Sequence, residues 1–201
     1  MIESKPEISI EALRAGDRSE FAKLVDTFSG PLYRLALKML GNPSDAEDAL
    51  QNTFLKAFQH LNEFEGRSSL STWLYRIASN EALMLLRKRR PEITFTDVIP
   101  EDEDDRINDP VQFADWGRLP EEELLANEAR AAMDRAVLHL PDTLRIVFVL
   151  RDIENLSILE TSQALGLSET AVKTRLLRAR LRLREEMSSY YSERLKKRSK
   201  E

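Results

Sequence analysis

The segment between Lys173 and Arg184 has the most distinctive chemistry of the chain, because it holds six basic residues and no acidic one. At about 100° per residue, its apolar side chains fall on one narrow helical stripe: Val172, Leu176, Ala179 and Leu183. The other faces present groups that can contact base edges or phosphates: Thr170, Lys173, Thr174, Arg175, Leu177, Arg178 and Arg180. The pattern predicts a helix that enters the major groove of DNA, with Arg178 and Lys173 as the leading candidates for base contact. The alternative, a solvated cationic helix, is disfavoured because it forgoes all intrahelical ion pairs.

The residues before this segment predict the element that positions it. Ser157-x-x-Glu160 is a capping box that opens a short helix ending at Leu165. Gly166 stands where a helix C-terminus favours a left-handed residue, and Ser168 can cap a long final helix reaching at least Met187. A short helix, a glycine turn and a longer basic helix are typical of a helix-turn-helix.

A second set of candidate residues lies on a helix predicted from Leu70 to about Arg89. One face carries an aromatic ring, an amide and arginines: Trp73, Arg76, Asn80, Leu83 and Arg87. The core stripe is on the other side: Leu70, Leu74, Ile77, Ala78 and Leu85. Because this face leads into the basic run 87–90, it suits single-stranded or distorted DNA. For Trp73 alone, packing in the core is at least as good an interpretation.

Apolar spacing elsewhere is also helical, and no alternating strand pattern is evident. Helices are predicted near 8–15, 17–40, 124–140 and 142–153. Another is predicted from the capping box Ser44-x-x-Glu47 to about Leu61. Its buried stripe is Ala46, Ala49, Leu50, Phe54, Ala57, Phe58 and Leu61. We therefore expect an all-α protein of two small helical domains.

The net charge of −5 is unevenly distributed along the chain. Residues 91–123 contain twelve acidic residues and two arginines, so the remainder carries a net charge of +5. This acidic stretch lacks apolar periodicity and predicts a flexible linker over 92–122. Four apolar residues within it either dock on a domain or contact a partner: Val111, Phe113, Trp116 and Leu119. The predicted domains are 1–91 and 123–190, followed by a basic tail over 191–201.

Composition excludes several other functions. The absence of cysteine excludes disulfides and thiolate metal sites and fits a reducing cytoplasm. The N-terminus does not resemble a signal peptide, and no stretch approaches the roughly 20 apolar residues of a membrane span. There is no phosphate-binding glycine loop, and His60 and His139 are expected on helix surfaces. We expect a cytoplasmic protein without membrane insertion, catalytic residues, metal, cofactor or small-molecule substrate.

Two long runs resemble a known family. The run DAEDALQNTFLKAFQHLNEFEGRSSLSTWLYRIASNEALMLLRKRR is similar to region two of extracytoplasmic-function sigma factors of RNA polymerase. The run LPDTLRIVFVLRDIENLSILETSQALGLSETAVKTRLLRARLRL is similar to their region four. The two regions occur in the family's order. One departure is Thr161-Ser162, where the family usually has Ile-Ala, and we expect this change to loosen packing in the first helix of the helix-turn-helix.

The resemblance implies partners and roles for particular residues. Promoter DNA and the β and β′ subunits of bacterial core RNA polymerase are the implied partners, together with an anti-sigma factor. The implied polymerase-binding residues lie on the 45–60 helix: Asp45, Asp48, Gln51, Asn52 and Lys56. The implied minus-10 residues lie in the 62–71 loop and on the helix that follows it: Phe64, Arg67, Ser68, Trp73, Arg76, Asn80 and Arg87. The helix-turn-helix would bind the minus-35 element as duplex. The alternative is a stand-alone helix-turn-helix regulator without sigma activity.

Overall fold

The structure is a computed structural model that describes the backbone of residues 8–89 and 123–198. Side chains are described for residues 8–89 and 128–190. The predicted linker 92–122 and its four apolar residues lie outside the described residues. Within the described ranges every regular element is helical, which confirms the predicted fold class.

Four helices form the N-terminal part of the molecule: α1 (Ile10–Arg14), α2 (Arg18–Leu40), α3 (Pro43–His60) and α4 (Leu70–Arg89), with a 3-10 turn at Leu61–Glu63. Four more follow the undescribed segment: α5 (Glu123–His139), α6 (Asp142–Phe148), α7 (Ile158–Leu165) and α8 (Glu169–Arg198). A π-helical turn, Val149–Ile153, extends α6, so the helix predicted over 142–153 changes its winding halfway. Helix α8 continues through most of the predicted basic tail.

Helix α3 begins before the predicted capping box. Its N-cap is Asn42, whose side-chain oxygen accepts a hydrogen bond from the Asp45 amide at 3.2 Å. Pro43 takes the first helical position, where its fixed φ suits the helix and its missing N–H is not needed. The prediction that Ser44 caps this helix is therefore wrong by two residues.

Helix α4 is buried on two sides, which the single predicted stripe did not anticipate. Leu74 and Ala78 are buried in the N-terminal bundle, where α4 packs against α2 and α3. Around the helix from them, Tyr75, Leu83 and Leu86 are also buried, and α4 contacts α7 of the C-terminal part. The prediction that Leu83 belongs to the open face is wrong, because the flank of α4 that carries it is enclosed.

A polar cluster around the buried Glu154 joins the two parts of the molecule. The Glu154 carboxylate, 2% exposed, accepts hydrogen bonds from Arg34 Nε at 3.2 Å and Nη2 at 3.1 Å. Tyr75 Oη donates to the same carboxylate at 3.0 Å. Burial, and secondly the negative charge of Glu154, raise the pKa of Tyr75. The N-terminal and C-terminal helices therefore share one continuous interior in this conformation.

Two expectations about absent sites concern the described residues only. None of the helices described is long and apolar enough to cross a bilayer. The described side chains also contain no group of three or more His, Cys, Asp or Glu residues arranged to hold a metal ion. His60 and His139 are both exposed and lie 3.0 Å from Glu63 and 2.6 Å from Glu186, respectively.

Candidate nucleic-acid interface

Helix α8 is positioned by the apolar stripe that the sequence predicts. Val172 and Ala179 are fully buried, Leu176 is 6% exposed and Leu183 is 4% exposed. Helix α8 packs against α5, α6 and α7, most extensively against α6. Burial of these four side chains fixes the rotation of α8 about its axis, and therefore fixes which residues point outward.

The turn between α7 and α8 has the predicted chemistry. Ser157 and Glu160 form a reciprocal capping box at the start of α7. Gly166 adopts φ +66° at its end, and the Ser168 hydroxyl accepts from the Ala171 amide at 3.1 Å to start α8. Thr161 is fully buried, and its hydroxyl donates to the Ser157 carbonyl at 2.9 Å. The Thr161 hydroxyl is therefore satisfied within the helix, and the expected loosening of packing at Thr161-Ser162 stays a prediction.

The outward face of α8 divides into exposed and partly enclosed side chains. Thr170, Lys173 and Thr174, all near its N-terminal end, are exposed. Leu177 and Arg178, one turn further on, are half-buried. This arrangement presents hydroxyls and a cation from the first turns of a helix, the part of a helix-turn-helix that contacts base edges.

The two flanking arginines are more constrained than the sequence suggests. Arg180 forms a bidentate pair with Asp152, with nitrogen–oxygen distances of 2.8 and 2.7 Å. Arg175 is half-buried, and this burial lowers the pKa of its guanidinium. Arg180 therefore helps to fix α8 on the preceding π-helical turn, in addition to any contact with DNA.

A pocket of about 280 Å³ lies between the end of α3 and the outer face of α4. It brings together three of the predicted minus-10 residues, Trp73, Arg76 and Asn80. The remaining lining residues are Lys56, His60, Glu63, Ile77 and Glu81. An aromatic ring, an amide and cations around one recess can stack on a nucleobase, hydrogen-bond to its edge and hold its phosphate.

The loop before α4 supports this pocket from one side. The Phe64 ring is 4% exposed and lies 5.2 Å from the Trp73 ring, centroid to centroid. Phe64 is therefore buried and packs against Trp73, and the direct contact with DNA that the resemblance implies for Phe64 stays a prediction. Arg67 is highly exposed and pairs with Glu65 at 2.7 Å. Ser68 is half-buried, and its hydroxyl donates a long 3.4 Å bond to the carbonyl of the next residue.

Arg87, the last predicted minus-10 residue, is exposed on α4, about two turns beyond Asn80 on the same face of the helix. It lies outside the pocket. The structure thus groups Trp73, Arg76 and Asn80 in one recess, places Phe64 behind it, and leaves Arg87 on the adjoining surface.

The predicted polymerase-binding face of α3 is only partly available. Asp48, Gln51 and Asn52 are exposed. Asp45 forms an ion pair with Arg89 at the end of α4. Lys56 pairs with the buried Glu81 at 2.5 Å, so it belongs to the pocket wall.

Two apolar residues on α3 were missed as candidates for a surface function. Leu55 is 55% exposed and Phe58 is 56% exposed, although Phe58 was predicted in the buried stripe. The Phe58 ring makes an edge contact with Phe21 at 5.2 Å but otherwise lies open. Helical spacing groups Leu55 with Asp48 and Gln51 on one face, so an apolar patch lies within the polar one. Leu55 is absent from the predicted buried stripe of this helix, and that absence is the sequence signal that would have identified the apolar patch.

The geometry defines a helical protein with two separate surfaces suited to nucleic acid, one concave and one on an exposed helix. Models of sigma-70 region 2 and sigma-70 region 4 match residues 24–92 and 130–183, respectively. The chain is 34% identical to the ECF RNA polymerase sigma factor SigW of Bacillus subtilis, covering 89% of this chain and 94% of that protein. It is 31% identical to the RNA polymerase sigma-H factor of Pseudomonas aeruginosa over 85% of this chain and 88% of that protein.

A solved structure has the same fold at low sequence identity. It is the sigma factor RpoE in complex with the anti-sigma factor NepR from Bartonella quintana, with 24% identity and a TM-score of 0.61. The match covers 85% of this chain and 98% of that one. The chain belongs to the extracytoplasmic-function family of RNA polymerase sigma factors. Its relatives are sigma factors rather than enzymes, and the stand-alone regulator is not supported, since both sigma regions are present.

Proposed function

We propose that this sigma factor divides promoter recognition between the α3–α4 pocket and the outward face of α8. The pocket would hold an unpaired base of the minus-10 element, and α8 would bind the minus-35 element as duplex. The single observation that carries this division is the pocket itself. It groups Trp73, Arg76 and Asn80 around a recess, whereas α8 presents its candidates on an open surface.

Energetics support a need for polymerase at the minus-10 element. Separating duplex DNA costs about 1.4 kcal/mol per base-pair step, and a pocket that holds one flipped base recovers only a few kcal/mol. A pocket of this kind in a chain of 23.2 kDa therefore cannot hold a promoter open by itself. We therefore propose that opening occurs only on core polymerase and that the free factor binds DNA weakly.

Helix α3 is the proposed docking surface for the β′ and β subunits of core polymerase. Asp48, Gln51 and Asn52 would supply polar contacts around the exposed apolar pair Leu55 and Phe58. A few side chains near the centre of an interface commonly contribute most of its binding energy, while the surrounding contacts exclude water. Asp45 and Lys56 contribute less in this proposal, because they already have partners within the chain.

Further partners and the site of action remain proposals from family membership. We infer an anti-sigma factor as a regulatory partner, action in the cytoplasm where polymerase and DNA are found, and no catalytic activity of its own. The division into domains at 1–91 and 123–190, with a linker and a tail, is proposed on the same grounds. The matched regions at 24–92 and 130–183 support it.

Run-off transcription with core polymerase on a promoter library tests the proposed function. Arg178→Ala should weaken binding to the upstream duplex by about 1–3 kcal/mol and leave binding of a pre-melted downstream element unchanged. Asn80→Ala should keep upstream binding and impair opening. If no template is initiated beyond core polymerase alone, or if both variants lose duplex binding equally, the proposal fails.

A further inference from the structure

The wall of the α3–α4 pocket contains a buried carboxylate that the proposed function does not yet use. The Glu81 side chain is 4% exposed, and its Oε1 accepts from Lys56 Nζ at 2.5 Å. Its other oxygen, Oε2, has no hydrogen-bond partner among the described residues and is not fully buried, and Glu81 lines the pocket. The Lys56 side chain is 45% exposed, so its ammonium group pairs with Glu81 and remains accessible to solvent.

A carboxylate in this position is unfavourable for binding nucleic acid through its phosphates. It repels the phosphates that Arg76 would attract, and burial of a carboxylate is costly unless its oxygens are paired. An ion pair that serves only to link α3 to α4 needs just one carboxylate oxygen of Glu81. Because Glu81 lines the pocket, its remaining oxygen is available to accept a hydrogen bond from a donor on a base.

Only some bases present such a donor group. Cytosine, adenine and guanine each carry an exocyclic amino group, at N4, N6 and N2, respectively. Thymine carries none, and its carbonyl oxygens flank its one N–H group. Opposite a carboxylate, these oxygens would be repelled, whereas an amino group would donate to Oε2.

We propose that Glu81 is a specificity-determining residue that lets the pocket accept an amino-bearing unpaired base and reject thymine. This inference rests on the proposed function, because it assumes that the pocket receives a base. Lys56 acts as a positioning residue: it holds Oε1 and so aims Oε2 at the base. Asn80, the neighbour of Glu81 in the pocket lining, contributes affinity without the same discrimination, because an amide both donates and accepts.

The test uses the complete factor assembled with core polymerase and a library in which every base of the downstream promoter element is randomised. Sequencing of the run-off products gives the base preference at each position. For the unmodified factor we expect thymine to be disfavoured by about tenfold at one position, the size of one good base-specific contact. Glu81→Gln should reduce that preference to within about twofold, since a glutamine amide can also donate to thymine oxygens.

Glu63→Gln is the charge-matched control. Glu63 lines the same pocket but is 76% exposed and pairs with His60, so its replacement should preserve the base ratios whatever it does to total product. The double variant Lys56→Gln, Glu81→Gln avoids leaving an unpaired lysine and should also lose thymine discrimination. Circular dichroism and thermal melting establish that each variant folds.

Three results would overturn the proposal. Glu81→Gln and the double variant could keep the full discrimination against thymine, Glu63→Gln could lose it equally, or the unmodified factor could prefer thymine at every position. Failure of the proposed function gives a different result. In that case Trp73→Ala and Asn80→Ala would leave promoter opening intact, so the pocket would not bind a base at all.

Discussion

The two candidate DNA-binding surfaces differ in how exposed their polar side chains are. In the α3–α4 pocket, Glu81 is buried and paired, and Trp73 rests against the buried Phe64. On α8, Thr170 and Lys173 stand exposed on an open helix. A preformed recess suits a base that has left the duplex, because its edges can be surrounded. An exposed helix suits a groove, because the DNA supplies the concave partner.

The largest expected effect tests whether the buried stripe of α8 alone orients its outer face. Leu176→Ala removes a side chain that is 6% exposed, and should lower the free energy of unfolding by about 2–5 kcal/mol. Leu177→Ala, one residue further, is the control, because Leu177 is half-buried on the outward face. It should change stability little and weaken upstream-duplex binding. Urea unfolding and duplex titration separate the two, and equal destabilisation would contradict the assigned faces.

The second prediction concerns the contact that joins the two parts of the molecule, each of which carries one of these surfaces. Glu154→Gln replaces a buried carboxylate with an amide, and should cost about 1–3 kcal/mol because Arg34 and Tyr75 lose a charged acceptor. We expect this loss in the unfolding of the intact chain, with the pocket and the α8 face each retaining its own DNA binding. Glu47→Gln, an exposed carboxylate on α3, is the control. A drop in base discrimination at the pocket would show that the two surfaces are coupled.

The third prediction tests the local support of the helix-turn-helix through pH. The side-chain hydrogen bond with Ser157 lowers the pKa of Glu160 below its ordinary value of 4.5. Because the folded pKa is the lower one, this stabilisation is present above pH 4.5 and is lost as the pH falls through the folded pKa. Ser157→Ala should cost about 1 kcal/mol at pH 7 and less in acid. Denaturant unfolding at both pH values measures this, and a cost independent of pH would argue against the capping pair.

The smallest expected effect separates phosphate contacts from base contacts. Arg182 is exposed on the flank of α8, so Arg182→Ala should weaken binding to all duplex sequences alike and reduce the salt slope by about 1. Arg130→Ala, an exposed arginine on α5, serves as the control for net charge. Salt titrations by fluorescence anisotropy compare the two. Equal slopes would mean that Arg182 lies too far from the DNA backbone.

Much of the fold was predictable because its signals are local. The buried stripe of α8, the capping box at Ser157 and the left-handed Gly166 all depend on residues within about one turn of each other. One local signal was overlooked: proline favours the first position of a helix, so Pro43 places the N-cap of α3 at Asn42 and not at Ser44. The membership of Trp73, Arg76 and Asn80 in one site was also predictable from their spacing on a single helix.

The sequence by itself determined the helices, the capping box at Ser157 and the outward face of α8, because helical periodicity and capping act over a few residues. Only the tertiary structure decided that Leu83 is buried, that Phe58 is exposed and that Lys56 faces the pocket. The physical reason is that periodicity identifies an apolar face without identifying the element that covers it. The Lys56–Glu81 pair and the Arg34–Glu154 pair join residues 25 and 120 positions apart, a separation at which only folding brings charges together.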